Sequence, residues 1–421
     1  MASGRTAGPR AGADTPGRHV DDRERRARLA VRHAVHPGHR VADTLEATRA
    51  MTVLHATEAA TVHLAVAART EGVSPADVDR ALYEERSVVK QLGMRRTLFV
   101  LPLDLLPVVL GSASARVAAE QRRVIARDVQ AHGVAEDGEA WLETARAAVL
   151  RRLAEAGARA GAPVALPARQ LREELPELTG SITANLGKKY GGTTQIAPRV
   201  LTLLGAEGLV TRGPNAGHWR LSKPAWTLMA DWLGATVGPT SPEEGYAELV
   251  RRWLRTFGPG TVEAVQWWLG STKTAARAAL GTVGAVPVSL DGGSTGWLLP
   301  DDVDPVDPDA VAPCAALLPT LDPTTMGWRQ RHFYLDPAHT PYLFDTNGNG
   351  GTTAWWQGRV VGAWVQDDEG VVSVVPAPGD PLPREARAAL DVEAARLTAW
   401  LDGVRITNVY KSALMKGAAL P

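Results

Sequence analysis

Apolar positions in the first third of the chain recur mostly at helical spacing, and strand-like alternation appears only in short bursts. The pattern predicts helices over 23–35, 42–50, 59–69, 75–85 and 113–131, the last carrying Arg116, Arg122, Arg123 and Arg127. Ser74-Pro75-Ala76-Asp77 reads as an N-cap followed by proline at the first helical position. Two strands, 87–92 and 97–101, then flank Gly93-Met94-Arg95-Arg96. The same order returns over 139–226. Helices are expected at 139–157 and 167–176, with a third opened by Thr193-Thr194-Gln195 and presenting Ile196, Val200, Leu203 and Leu204 on one face. Glu207-Gly208 ends it, glycine suiting a left-handed cap. Strands Leu209–Arg212 and His218–Ser222 border the turn Gly213–Gly217. A third round over 243–300 has helices near 243–257, 261–269 and 272–282, then strands at 286–290 and 296–299.

Helices followed by a short hairpin form the winged-helix layout. Three rounds give an α+β chain of three tandem winged-helix domains, 29–135, 136–238 and 239–300, followed by a C-terminal β-rich region with a terminal helix. Residues 1–28 hold seven arginines, four acids and Val20 as the one sizeable apolar residue after Met1. Such a stretch buries too little surface to offset ordering entropy, so a disordered basic tail is expected. Residues 301–312, acidic and broken by prolines, read as a linker. The region 313–421 is expected to place strands around 313–318, 332–335, 352–356, 359–365 and 370–375, with Gln357-Gly358 as a tight turn and a helix near 383–401.

Lysine plus arginine equals aspartate plus glutamate at 46 each, which excludes a basic coat over the whole chain but not over one face. Between Lys188 and Lys223 the balance breaks. Lys188, Lys189, Arg199, Arg212, Arg220 and Lys223 face one acid, Glu207, and six minus one is +5. That local excess suits a duplex-facing surface, and it also suits a solvated face of an arginine-rich protein. Arg95 and Arg96, in the first hairpin turn, join the expected DNA contacts. The single cysteine, Cys314, excludes an internal disulfide and a multi-cysteine zinc site. His33, His36 and His39 are spaced by three, but Pro37-Gly38 breaks the helix that would align them, so no metal is expected. No Walker, Rossmann or nucleophile-elbow pattern occurs, and no cofactor is expected. With no apolar run of membrane-spanning length and no signal-like N-terminus, the expectation is a soluble cytoplasmic protein associated with the nucleoid.

Two segments carry candidate chemistry. Leu54-His55-Ala56-Thr57-Glu58 alternates before a small-residue helix, placing His55 and Thr57 on one side of an extended segment. His55 and Thr57 could hold a water there, with Glu58 orienting the imidazole. Alternatively, Thr57 caps the helix and Glu58 favours its positive end. In Leu318–Arg331, Asp322-Pro323 fixes a turn, and Trp328 with Arg329 and Arg331 could grip a nucleotide. The plainer alternative has Asp322 satisfying turn amides and pairing with Arg329. The tryptophan pairs Trp267-Trp268 and Trp355-Trp356 are either stacking platforms or core filling.

Several of these segments together resemble the actinobacterial winged-helix DNA-binding protein family. They are Leu54-His55-Ala56-Thr57, Arg80-Ala81-Leu82-Tyr83-Glu84, Leu92–Leu98, Leu321–Trp328, and Asn347-Gly348-Asn349 running to Gly362-Ala363-Trp364. That family is similar to the AlkZ-like alkylpurine DNA glycosylases, some of which protect antibiotic producers from their own DNA-alkylating products. The resemblance implies a concave surface for double-stranded DNA, a monomer, and hydrolysis of the N-glycosidic bond of alkylated or bulky purines. It also implies a water site. In those glycosylases a Gln-hydrophobic-Gln or Gln-hydrophobic-Asp motif positions the attacking water, and here the matching positions read His55-Ala56-Thr57. Both polar positions are changed. On this reading His55 accepts the water's proton, Thr57 gives a second hydrogen bond, and Asp322 is the next candidate. A noncatalytic DNA-binding protein, regulatory or lesion-shielding, remains the alternative.

Overall fold

The computed structural model describes residues 16–184, 192–379 and 381–417, in which each round of helices closes on its own three-stranded sheet. In the first round, strand Leu98–Pro102 lies between Leu54–His55 and Val88–Leu92, antiparallel to both. Helices Thr44–Ala50, Ala59–Ala67 and Pro75–Tyr83 pack around it. Ser74 and Asp77 form a reciprocal capping box at the start of Pro75–Tyr83, where the sequence placed a cap. In the second round, Pro224–Leu228 lies between Leu166–Pro167 and Val210–Asn215. Helices Gly138–Ala160, Ala168–Glu174 and Ala197–Ala206 accompany it.

Two expectations for that second round are corrected. Thr193-Thr194-Gln195 does not open a helix; it belongs to strand Gly192–Gln195, paired with Ser181–Ala184. The threonines sit well on a pleated surface, and the helix starts only at Ala197, with Pro198 in its first turn. His218–Ser222 is also not a strand. Asn215 closes that stretch as a loop by bonding the carbonyls of His218 and Leu221 and the Lys223 N–H. Pairing resumes at Pro224, where Trp226 is buried.

The third round changes the reading of the chain's start. Helices Pro242–Phe257, Val262–Leu269 and Lys273–Thr282 precede the antiparallel strands Val286–Leu290 and Thr295–Leu298. The third strand of this sheet is His19–Val20, parallel to Val286–Leu290. Residues 19–28 are therefore not tail. Val20 is fully buried, and helix Asp22–Arg32 follows, capped by Asp21. Composition misled here because the acidic stretch supplies the missing counter-charges. Asp302 pairs with Arg28 and Arg32, and Asp309 with Arg23. The segment expected as a free linker is thereby docked on the N-terminal helix.

The C-terminal region is an antiparallel four-stranded sheet in the order Ala315–Leu318, Thr353–Trp356, Arg359–Gln366 and Val372–Pro376, covered by helix Arg384–Leu401. Residues 332–335 form a turn, not the expected strand. The N–H groups of Tyr334 and Leu335 both donate to the Arg331 carbonyl, while Phe333 and Tyr334 pack on Trp328. Trp253, Phe257, Trp328, Tyr334 and Trp355 form one aromatic column from the third round into this sheet. The rounds thus share a continuous core.

Candidate nucleic-acid interface

His55 sits on the short edge strand of the first sheet, directly opposite Phe99, their ring centroids 4.8 Å apart. Phe99 is in turn opposite Gln91, so His55, Phe99 and Gln91 share one face of the sheet. The imidazole is 5% exposed, and its Nδ1 is buried with no hydrogen-bond partner among the described residues. Burial, aided by the positive charge of Arg95, pushes its pKa down to about 3. The ring is neutral at physiological pH and is a weak base. The expectation that His55 accepts the water's proton is corrected; what remains is a hydrogen-bonding group.

Thr57, two residues on, lies beyond the strand and is exposed. It does not cap the following helix. Glu58 is the N-cap residue, and its side chain makes no capping bond. Its carboxylate instead accepts the backbone N–H groups of Val409 and Tyr410, the latter at 3.0 Å. Burial raises its pKa, those two N–H groups opposing the rise. Glu58 therefore ties the C-terminal segment to the motif and does not orient His55.

The charge next to His55 comes from the hairpin turn Met94–Arg96, where Arg95 and Arg96 both take positive φ, 54° and 57°. Left-handed backbone at two successive arginines is strained and tends to persist where the side chains have a task. Arg95 lies 4.0 Å from the centre of the Trp267 ring. Arg331 approaches the same ring at 6.0 Å and covers Phe344 at 4.2 Å. Burial and then the charge of Arg331 bring the Arg95 pKa down to about 10, and no carboxylate contributes. The Nε atoms of both arginines are buried without partners among the described residues. Gly270 allows this crowding: a Cβ there would come within 3.0 Å of the Arg95 backbone nitrogen and 3.1 Å of Arg116 Nη2. Arg96 and Arg329 are exposed, Arg96 reaching Gln121 Oε1 at 3.3 Å.

Other expected site residues lie elsewhere. Asp322 is fully buried, with both carboxylate oxygens held by Arg69 at 2.7 and 2.9 Å, and it caps the turn that begins at Pro323. It is structural, paired with Arg69 and not Arg329, and its catalytic reading is withdrawn. Trp328 is 3% exposed and donates to the Phe257 carbonyl, so it is core and cannot stack on a nucleotide. Both ring nitrogens of His33 are engaged, with Thr324 Oγ1 and the Thr256 carbonyl.

The basic stretch of the second round does not present one face. Arg199 pairs with Asp128 at 3.0 Å. Arg212 is largely buried beside Trp226. Arg220 is half-buried and Lys223 exposed on the loop, while Lys188 and Lys189 lie outside the described residues. Sequence reasoning left Trp267 undecided, and it missed Lys90 and Tyr83, which meet Arg212. A signal for Lys90 was present: it is the one charged residue in the run Val88-Val89-Lys90-Gln91-Leu92.

Known proteins agree with this architecture. A family model, "DNA glycosylase AlkZ-like", matches residues 48–400. An interstrand DNA cross-link repair glycosylase of Streptomyces sahachiroi is 29% identical over 186 residues, 42% of this chain and 48% of the relative. The match thus spans about half that relative's length. The solved structure of Streptomyces sahachiroi DNA glycosylase AlkZ superposes with a TM-score of 0.69 at 21% identity, covering 90% of this chain and 97% of the other. That likeness establishes the shared fold, and the extent of the family match establishes more: this chain belongs to the AlkZ-like DNA glycosylase family.

Proposed function

We propose that the protein binds double-stranded DNA as a monomer and hydrolyses the N-glycosidic bond of alkylated or bulky purines. The carrying observation is the unpartnered His55 Nδ1 on a sheet face beside the un-neutralised Arg95, in a chain of a DNA glycosylase family. The three sheets with their helices are read as three winged-helix units, 29–135, 136–238 and 239–300, the third completed by strand His19–Val20. Arg95, Arg96 and Arg329 contact phosphates on this reading, with Arg220 and Lys223 from the second unit. The Trp267 ring keeps the Arg95 fork in place.

The chemistry needs little base strength. The C1′–N9 bond of an alkylated purine breaks with its electron pair leaving on an already cationic base, and the sugar becomes oxocarbenium-like. A water oxygen then bonds to C1′ and its proton passes to solvent. A neutral imidazole can accept a hydrogen bond from that water and fix its line of attack, with the exposed Thr57 hydroxyl as a second partner. Incubating the protein with a duplex containing N7-alkylguanine and assaying the free base tests the reading. Released base supports it. Tight lesion binding without release would favour the noncatalytic alternative, to which the exchanged polar pair His55/Thr57 gives some weight.

A further inference from the structure

The opposite face of the first sheet carries a second charged site. Lys90 lies opposite Val100, in the row of Leu54, and so faces away from His55, Phe99 and Gln91. Its Nζ donates to the Tyr83 hydroxyl at 2.6 Å. Arg212, from strand Val210–Asn215, reaches the same groove from the second unit, with its Nε buried and unpartnered among the described residues. The enclosed part of the groove is small, about 20 Å³, the rest being open to solvent, and Ala56, His63 and Trp219 are among its walls.

Two cations are thus desolvated side by side. Burial first, then the charge of Arg212, brings the Lys90 amine down to about 8. Burial raises the Tyr83 phenol, so it stays protonated and supplies no negative charge. The nearby carboxylate, Asp79, supports the Lys90 charge and also meets His63 Nε2 at 3.1 Å, so one carboxylate faces two cations. Two partly buried cations against one carboxylate leave a net positive charge, which an anion from outside would relieve. A forked guanidinium beside a compact ammonium suits a tetrahedral oxyanion. The Tyr83 hydroxyl accepts from Lys90 and so keeps its own proton free to donate.

We propose that Lys90, Arg212 and Tyr83 form a phosphate-binding site on the face of the first sheet opposite His55. The phosphate comes either from the DNA backbone or from a free phosphomonoester. The inference does not depend on the glycosylase reading, because phosphate binding is measured without any base release.

The test is calorimetric titration of the full chain with inorganic phosphate, alone and with a short unmodified duplex. Saturable one-to-one binding is expected, with phosphate raising the melting temperature. Lys90→Met and Arg212→Met should each weaken it by about tenfold or more, and abolish the thermal shift. Lys90→Met removes a buried charge and should fold at least as stably as the parent. If the backbone is the source, free phosphate competes with duplex and both variants weaken duplex binding. If a phosphomonoester is the source, phosphate and duplex bind together and the variants leave duplex affinity within about twofold. Folded variants that bind phosphate as the parent does, or no saturable binding by the parent, overturn the proposal.

Discussion

Helix Asp22–Arg32 and the hairpin turn Met94–Arg96 both gather arginines, and they differ in what surrounds them. In the helix, Arg28 is held by Glu24 and Asp302, Arg32 by Asp302, Arg25 by Asp22 and Arg23 by Asp309. At the turn, Arg95 stands beside Arg331 and against Trp267, and among the described residues no carboxylate supports its charge. The helix is richer in arginine, yet all of its arginines but Arg26, which donates to the Phe333 carbonyl, meet a carboxylate within the protein. The proposed duplex contact would supply the counter-charge that the turn lacks among the described residues. Placement of counter-charge, more than the number of arginines, marks a nucleic-acid face.

The sharpest way to break this contrast is to remove arginine from each group in turn. Arg28→Ala would remove a fully buried guanidinium while Glu24 keeps Arg18 and Asp302 keeps Arg32, and should cost ~2–3 kcal/mol of unfolding free energy by chemical denaturation. A loss below ~1 kcal/mol would mean the N-terminal cluster is not the buried network described. Arg95→Ala combined with Arg96→Ala should weaken duplex binding and flatten its log–log salt dependence by up to ~1.8 if each meets one phosphate. An unchanged slope would move the duplex off the turn.

Smaller effects sharpen the picture. Because His55 titrates far below its ordinary value, its ring stays neutral across about pH 5–8, and base release should show no step near pH 6.5 from this group. Its stability effect has a definite sign. The unfolded chain takes up a proton on His55 as pH falls below the ordinary histidine pKa, while the folded state does so only near 3. Stability is therefore lost progressively between these two values, and a His55→Phe variant should be less acid-sensitive over the same range. Arg199→Ala, where the charge is already met by Asp128, should leave duplex affinity within about twofold.

Helical periodicity and caps were legible because they are local. Pro75–Tyr83 with its Ser74–Asp77 capping box, and the hairpin around Arg95, could be placed from a few neighbouring residues. What was not legible depended on distant partners. The tail reading failed over 19–28, residues 1–15 lying outside the described residues, because Asp302 and Asp309, far along the chain, pair with Arg28 and Arg23. Asp322 looked reactive because its partner, Arg69, lies more than two hundred residues away. For the same reason, the +5 stretch could not reveal that Arg212 turns inward to Lys90. The motif His55-Ala56-Thr57 was visible as a pattern, but the depressed pKa of His55 arises from burial and from Arg95, which spacing does not show.

The central claim is that His55 holds the attacking water as a neutral hydrogen-bonding group beside an un-neutralised DNA-binding turn. Single-turnover release of free base from an N7-alkylguanine duplex, measured for the parent, His55→Ala and His55→Gln, tests it most directly. His55→Ala should release base ~100-fold more slowly with duplex affinity within a few-fold, and His55→Gln, which keeps a hydrogen-bonding side chain, should recover most of the rate. A His55→Ala protein as fast as the parent, or a parent that binds the lesion and releases nothing, would contradict the account.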